Sequence, residues 1–315
     1  MMGNATRSWA LVSGLGVLAV VPLQSLADRN ANDSEFSNFG SIVNTRHNLT
    51  QRGGTGNTVD AGLMDSQRND YGAVCVYCHT PHGASGAINA PLWNHTISTN
   101  APESFYTTYD ELGTISLTQN VSAPGPNSLT CLSCHDGTVG IDSVINMPGA
   151  GKHQTSQEVG PQDDGFLDTW DGIGGGGGAN HVGLNSTGCL VCHISGETPD
   201  LFPNAQDFRS FVIGQDLRDD HPVGITFPTS GARAAEFNQP GGIRNGLVFF
   251  DLNGNARANT DEVRLYDTGG GPEVECASCH DPHGVPSGGA GSQFLPTFLR
   301  VTNDNSTLCR TCHNI

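Results

Sequence analysis

The apolar positions of this chain form one continuous run and many short ones. From Trp9 to Val21 nearly every residue is apolar; Arg7 precedes the run and Ser25-Leu26-Ala27 follows it, the layout of a secretory signal over 1–27. The run is too short and too glycine-broken to span a bilayer, and no later run approaches its length. Beyond it few long windows hold a helical period, while Gly, Asn, Asp and Pro recur throughout. The pattern predicts long coil broken by short helices and two or three small strand pairs. Leu247–Phe250 and Val263–Tyr266 read as strands on either side of a polar tip. Residues 28–70 read as an extended N-terminal arm, and the Gly174–Gly178 run as a linker or a tight backbone crossing. So much coil ordinarily argues against a compact domain.

Cysteine changes that picture. All 10 cysteines fall in Cys-x-x-Cys-His motifs: Cys75/Cys78/His79, Cys131/Cys134/His135, Cys189/Cys192/His193, Cys276/Cys279/His280 and Cys309/Cys312/His313. Two thiols at this spacing add to the two vinyl groups of one porphyrin, and the following imidazole reaches the iron, which is the attachment signature of c-type haem. Zinc ribbons and dithiol redox sites share Cys-x-x-Cys but do not need the histidine each time. Disulfide pairing leaves all these histidines unexplained. The reading is five covalently attached haems, with thioether links to the ten cysteines and His79, His135, His193, His280 and His313 as proximal ligands. Each haem staples its segment, and a short helix is expected at each motif. Apolar residues make up only 36% of the chain and glycine is abundant at 42 residues, so porphyrin would supply the missing apolar mass. The expected fold is irregular, mostly coil with short helices and a few small strand pairs, organised around five haems in a single domain over 71–315.

The sixth iron positions need donors. Met64 and Met147 are the only methionines after residue 27, too few for the task. The remaining histidines are His47, His82, His95, His153, His181, His221 and His283, enough for bis-histidine coordination throughout. Such irons are closed to substrate and sit toward low potential, the properties of an electron-transfer protein rather than an enzyme. A multihaem reductase would need an open or lysine-bound iron, and no Cys-x-x-Cys-Lys occurs. His82 and His283 each lie three residues beyond a proximal histidine, which on a helix puts them on the same face. Each would then ligate a neighbouring haem. In Asp219-Asp220-His221-Pro222 the proline stiffens the chain and an aspartate can orient the ring. The expected distal set is His47, His82, His181, His221 and His283, with His95 and His153 as alternatives to His181 beside the Cys189 haem.

Charge narrows the partners. The formal charge is −17, Lys152 is the only lysine, and loss of residues 1–27 removes one further positive charge. A lysine-ringed docking face is thereby excluded, and nucleic-acid binding is argued against. Export would release a chain starting near Asp28, without a transmembrane segment, to the cell surface or beyond, otherwise to the periplasm. Asp251, Asn253, Asn255, Asn259 and Glu262 fall at positions 1, 3, 5, 9 and 12 of a calcium-loop spacing, although Ala256 stands where glycine is usual. A metal-free hairpin with a polar tip explains the same residues. Asn-x-Ser/Thr sequons occur at Asn32, Asn48, Asn94, Asn120, Asn185 and Asn305.

Cys75-Val-Tyr-Cys-His-Thr-Pro-His82-Gly and Cys276-Ala-Ser-Cys-His-Asp-Pro-His283-Gly are near copies, each followed by a further motif, with Cys189 inserted between the two pairs. Together with Ile42–Leu49, Ala90–Asn94, Cys131–Val139, Asp216–Ile225 and Phe298–Ile315, these stretches resemble the multihaem c-type cytochromes, in particular the extracellular filament-forming cytochrome nanowires. Four-haem members of that group correspond to the haems at His79, His135, His280 and His313; the Cys189 haem departs from their pattern. The resemblance implies haems stacked in alternating parallel and T-shaped pairs. It implies identical subunits in a filament, with His47 on the arm of one subunit ligating a terminal haem of the next. Other redox proteins or extracellular acceptors would be the remaining partners, and a soluble periplasmic carrier is the alternative reading.

Overall fold

Three of the motifs are helical and two are single turns. Helix α1, Pro126–His135, begins with proline at its first position, where the missing N–H would have no partner anyway. It buries Ser128, Leu129, Leu132 and Ser133. Helix α2 is Cys276–Cys279 and α3 is Thr307–Cys312. The first and third motifs form only short 3-10 turns, Val74–Tyr77 and Cys189–Val191. The computed structural model describes residues 37–50, 71, 73–86, 88, 90–97, 105–109, 119, 121–146, 183–186, 188–191, 193–194, 207–289 and 291–314. The leader, most of the arm, the Gly174–Gly178 run, His153, His181 and Cys192 lie outside them.

The expected helix face shared by His280 and His283 does not form. Helix α2 stops at Cys279, and His280 is extended at φ −112, ψ 143. Pro282 disfavours a helical backbone at Asp281, so the chain turns away before His283 is reached. Pro81 stands in the same relation to His79 and His82, and the first turn likewise ends at Tyr77.

One antiparallel sheet replaces the separate strand pairs. Its order is β1-β5-β4-β3-β2, built from β1 Ile225–Thr226, β2 Gly242–Arg244, β3 Leu247–Phe249, β4 Arg264–Asp267 and β5 Pro272–Val274. The two expected strands appear as β3 and β4, in register Val248↔Leu265. β2 joins β3 through Asn245 and Gly246 at φ 51 and 79, two left-handed residues in the manner of a tight hairpin turn. Gly242 is required opposite Phe249: a Cβ there would lie 2.1 Å from the aromatic ring.

The apolar core is split into three clusters, each beside a motif. Phe227, Val248, Phe250, Val263, Leu265 and Val301 pack with Leu308 and Cys312 of α3. Tyr71, Tyr77 and Val144 pack with Cys78. Tyr106 and Leu217 pack with Leu129 and Leu132 of α1. Among the described residues no helix is long and apolar enough to cross a membrane.

Candidate cofactor-binding site

Six histidines share one arrangement. The Nδ1 of His47 lies 3.2 Å from Pro282 O, that of His79 3.0 Å from Pro91 O, and that of His135 2.6 Å from Phe211 O. His221 meets Pro222 O at 3.1 Å, His280 meets Thr297 O at 2.7 Å, and His283 meets Asp281 Oδ1 at 3.0 Å. A carbonyl or carboxylate oxygen only accepts, so each Nδ1 carries the proton. In the neutral ring Nε2 then keeps its lone pair for a metal.

Four of these rings lie in two pairs. His79 and His283 lie 6.2 Å apart, centroid to centroid, with planes 8° from parallel; His47 and His135 lie 6.3 Å apart at 78°. An imidazole nitrogen binds a first-row metal at about 2 Å and the ring centroid lies about 1.2 Å behind it, so two axial imidazoles on one metal stand about 6.3 Å apart. Both pairs fit that requirement. His47 is held by Phe298, stacked at 4.5 Å and 16°. Burial, followed by the nearby His135, pushes its pKa down to about 4, so the ring is neutral at pH 7. Burial also lowers His221, which feels the charge of His313, and His280, which feels that of His135.

Burial makes several of the thiols poor nucleophiles, whereas the contact with Cys276 lowers Cys131. No disulfide joins the described cysteines to one another. Burial pushes Cys78, Cys134 and Cys312 up to about 12 and Cys279 up to about 11, whereas dithiol redox sites depress a thiol. Cys131 and Cys276 are in hydrogen-bonding contact, which joins the second motif to the fourth. Among the described residues no group of three or more His, Cys, Asp or Glu side chains gathers as an ion cage. Paired thiols beside paired imidazoles at this separation suit a flat macrocycle with two axial ligands better than a four-ligand zinc site.

The remaining residues divide clearly. His47, the residue placed by resemblance against a neighbouring subunit, here faces His135 of its own chain. His82 is exposed. His95 is fully buried, with Nδ1 2.8 Å from Thr96 O and Nε2 3.0 Å from Gly140 O; a neutral ring donates to only one of them. His193 stacks on Phe208 at 3.7 Å and 3°. In the polar tip, Asp251 accepts from the amides of Asn255 and Ala256, and Glu262 accepts from those of Leu252 and Asn259. The loop closes on itself through the oxygens that the calcium spacing singled out. Two sequons are structural: Asn94 is fully buried and bonded to Val76 O, and Asn48 is buried and bonded to Val43 O.

Several residues important to this geometry carry no motif. Asp281 joins His283 to the buried Arg300, whose Nη1 lies 3.0 Å from Asp281 Oδ2. Burial alone would raise Asp281, but the bond from His283 and the Arg300 charge outweigh it and hold the carboxyl at about 2. The echo carried no sign of this pair, since threonine (Thr80) occupies the matching position of the first motif. Thr297 and Phe298 are consecutive left-handed residues, at φ 53 and 61. Their strain, about 1–2 kcal/mol per residue, aims Thr297 O at His280 while Phe298 covers His47.

Glu275, the N-cap of α2, ties it to α1 by accepting from Gly125 N at 3.1 Å and from the Ser128 hydroxyl. Burial outweighs these donors and pushes its carboxyl from 4.5 to about 7. A raised carboxyl keeps its proton in the folded state, so its contribution is fully present below about 4.5 and is lost as pH rises through about 7. That interval corresponds to on the order of 3 kcal/mol. Melting temperature followed from pH 5 to pH 8 is expected to fall less in Glu275→Gln than in the parent; identical slopes would refute the assignment.

No family model matches the chain, and no curated protein matches it.

Proposed function

We propose that this chain is an electron-transfer protein carrying five c-type haems with bis-histidine axial ligation, and that it performs no substrate chemistry. The observation that supports it is the two imidazole pairs, His79/His283 and His47/His135, whose centroid separations match what one metal requires, with their Nδ1 protons committed to backbone or carboxylate oxygens. Bound haem c supplies a one-electron Fe(III)/Fe(II) couple. The chain's own residues fix the rings, exclude water through Phe298, Trp93 and the buried tyrosines, and hold the motifs against one another.

Following the resemblance, we propose that the protein works as the subunit of an extracellular filament, with His47 passing to the next subunit. The seat of His47 in its own chain favours a second reading, a soluble carrier whose second site is complete without a neighbour. Two measurements test these statements. Mass and pyridine haemochrome spectra of the exported protein are expected to show five covalent haems per chain, and the visible spectrum of the native oxidised protein to show them all low-spin; a cofactor-free chain would end the reading. Electron microscopy of secreted material then separates filament from carrier. Filaments formed equally well by His47→Ala would remove His47 as the bridge.

A further inference from the structure

The Asn-x-Ser/Thr sequons have no part in the function proposed above, and the structure sorts them. Asn94 is fully buried, and its Nδ2 donates to Val76 O at 2.7 Å and to Asn146 O at 3.2 Å. Asn48 is 8% exposed, and its Nδ2 donates to Val43 O at 2.7 Å. Asn185 Nδ2 donates to Gly137 O at 2.6 Å. In each of these the amide that would have to carry a sugar is engaged by a backbone carbonyl. Asn32 and Asn120 lie outside the described residues.

The sequon Asn305-Ser306-Thr307 is different. Residues 303–307 are all exposed, and no described residue hydrogen-bonds the Asn305 side chain. Asn305 and Ser306 are both left-handed, at φ 52 and φ 58, so the chain makes a tight surface turn just ahead of α3. The turn is held by its own bonds: Ser306 N donates to Asn303 O at 3.0 Å, and the Thr307 hydroxyl donates to Asp304 O at 2.6 Å. Acceptor amide and marking hydroxyl therefore sit in one locally held unit. A left-handed backbone alone would account for asparagine at 305. A free amide, full exposure and a hydroxyl two places on are together what a glycosyl transferase needs. The turn also touches the last motif, since Asn303 Oδ1 lies 3.9 Å from Cys309 Sγ.

We propose that Asn305 is an N-glycosylation site, which puts the carbohydrate beside the fifth motif. The donor is an oligosaccharide carried on a lipid diphosphate. Asn305 Nδ2 attacks its anomeric carbon and the C–N bond forms. The bond from that carbon to the phosphate oxygen breaks, the lipid diphosphate leaves with the electron pair, and one amide proton passes to solvent. Nothing is oxidised or reduced. The site depends on export of the chain and not on haem.

Peptide mapping by mass spectrometry, on the protein secreted by its own cell, is the test. The peptide containing Asn305 is expected to carry sugar mass, placed on residue 305 by fragmentation, while those containing Asn48 and Asn94 are bare. Asn305→Gln and Thr307→Val, made in the same cell, are each expected to lose that mass completely. Thr307→Ser keeps a hydroxyl and is expected to retain it. The parent map decides even if a variant fails to fold. An unmodified Asn305 in the secreted parent, sugar mass kept in Thr307→Val, or a glycan on Asn48 or Asn94 in its place would overturn the site. A glycosylated Asn305 on a chain without haem would support the site and defeat the cytochrome reading; five haems with a bare Asn305 would do the reverse.

Discussion

His283→Ala is expected to create a high-spin iron that takes up about one carbon monoxide per chain, where the parent takes up none. The ring of His283 stands 6.2 Å from that of His79 and nearly parallel to it, and Asp281 fixes its orientation. Trp93 also approaches His79, edge-on at 6.2 Å, but indole offers a donor only and cannot close the iron. His283→Met should restore six-coordination through sulfur and raise the potential of that one centre. Optical spectra with and without carbon monoxide make the distinction. An unchanged low-spin spectrum in the alanine variant would mean that His79 has another partner.

Arg300→Met is expected to lower stability by about 3–5 kcal/mol, because it leaves the Asp281 carboxylate buried without its countercharge. Arg300 is only 4% exposed. Besides Asp281 it donates to Ala277 O at 2.9 Å and to Thr260 O at 3.0 Å, so it also ties α2 to the loop ahead of β4. The double variant Asp281→Asn/Arg300→Met removes both charges and is expected to be less destabilised than Arg300→Met alone. Guanidinium unfolding of the purified proteins gives the comparison. A loss below about 1 kcal/mol in the single variant would show that solvent reaches this pair after all.

The elements that were legible in the sequence are those with local signals. β3 and β4 announced themselves by apolar runs around a polar tip, and β2 could have been found from Asn245-Gly246, a hairpin signature. β1 and β5 have two and three residues, too few for any period, and they exist because they pair with β4 and with each other. The histidine roles were legible only as an inventory. That His283 would meet His79 depends on how far apart in sequence the two echo segments fold together, and the helical spacing used to reach it was cut short by Pro282. Phe208 and Phe298 gave no signal, since an aromatic residue that braces an imidazole looks in sequence like any core residue. His95 shows the converse: a histidine that counts as a donor by composition is fully enclosed by backbone carbonyls.

The left-handed pair at Thr297 and Phe298 couples two distant places. Its carbonyl steadies His280 of the fourth motif, and its ring steadies His47 across from the second. Loosening either contact leaves the strained turn braced from one side only, so a disturbance at one motif is transmitted to the other.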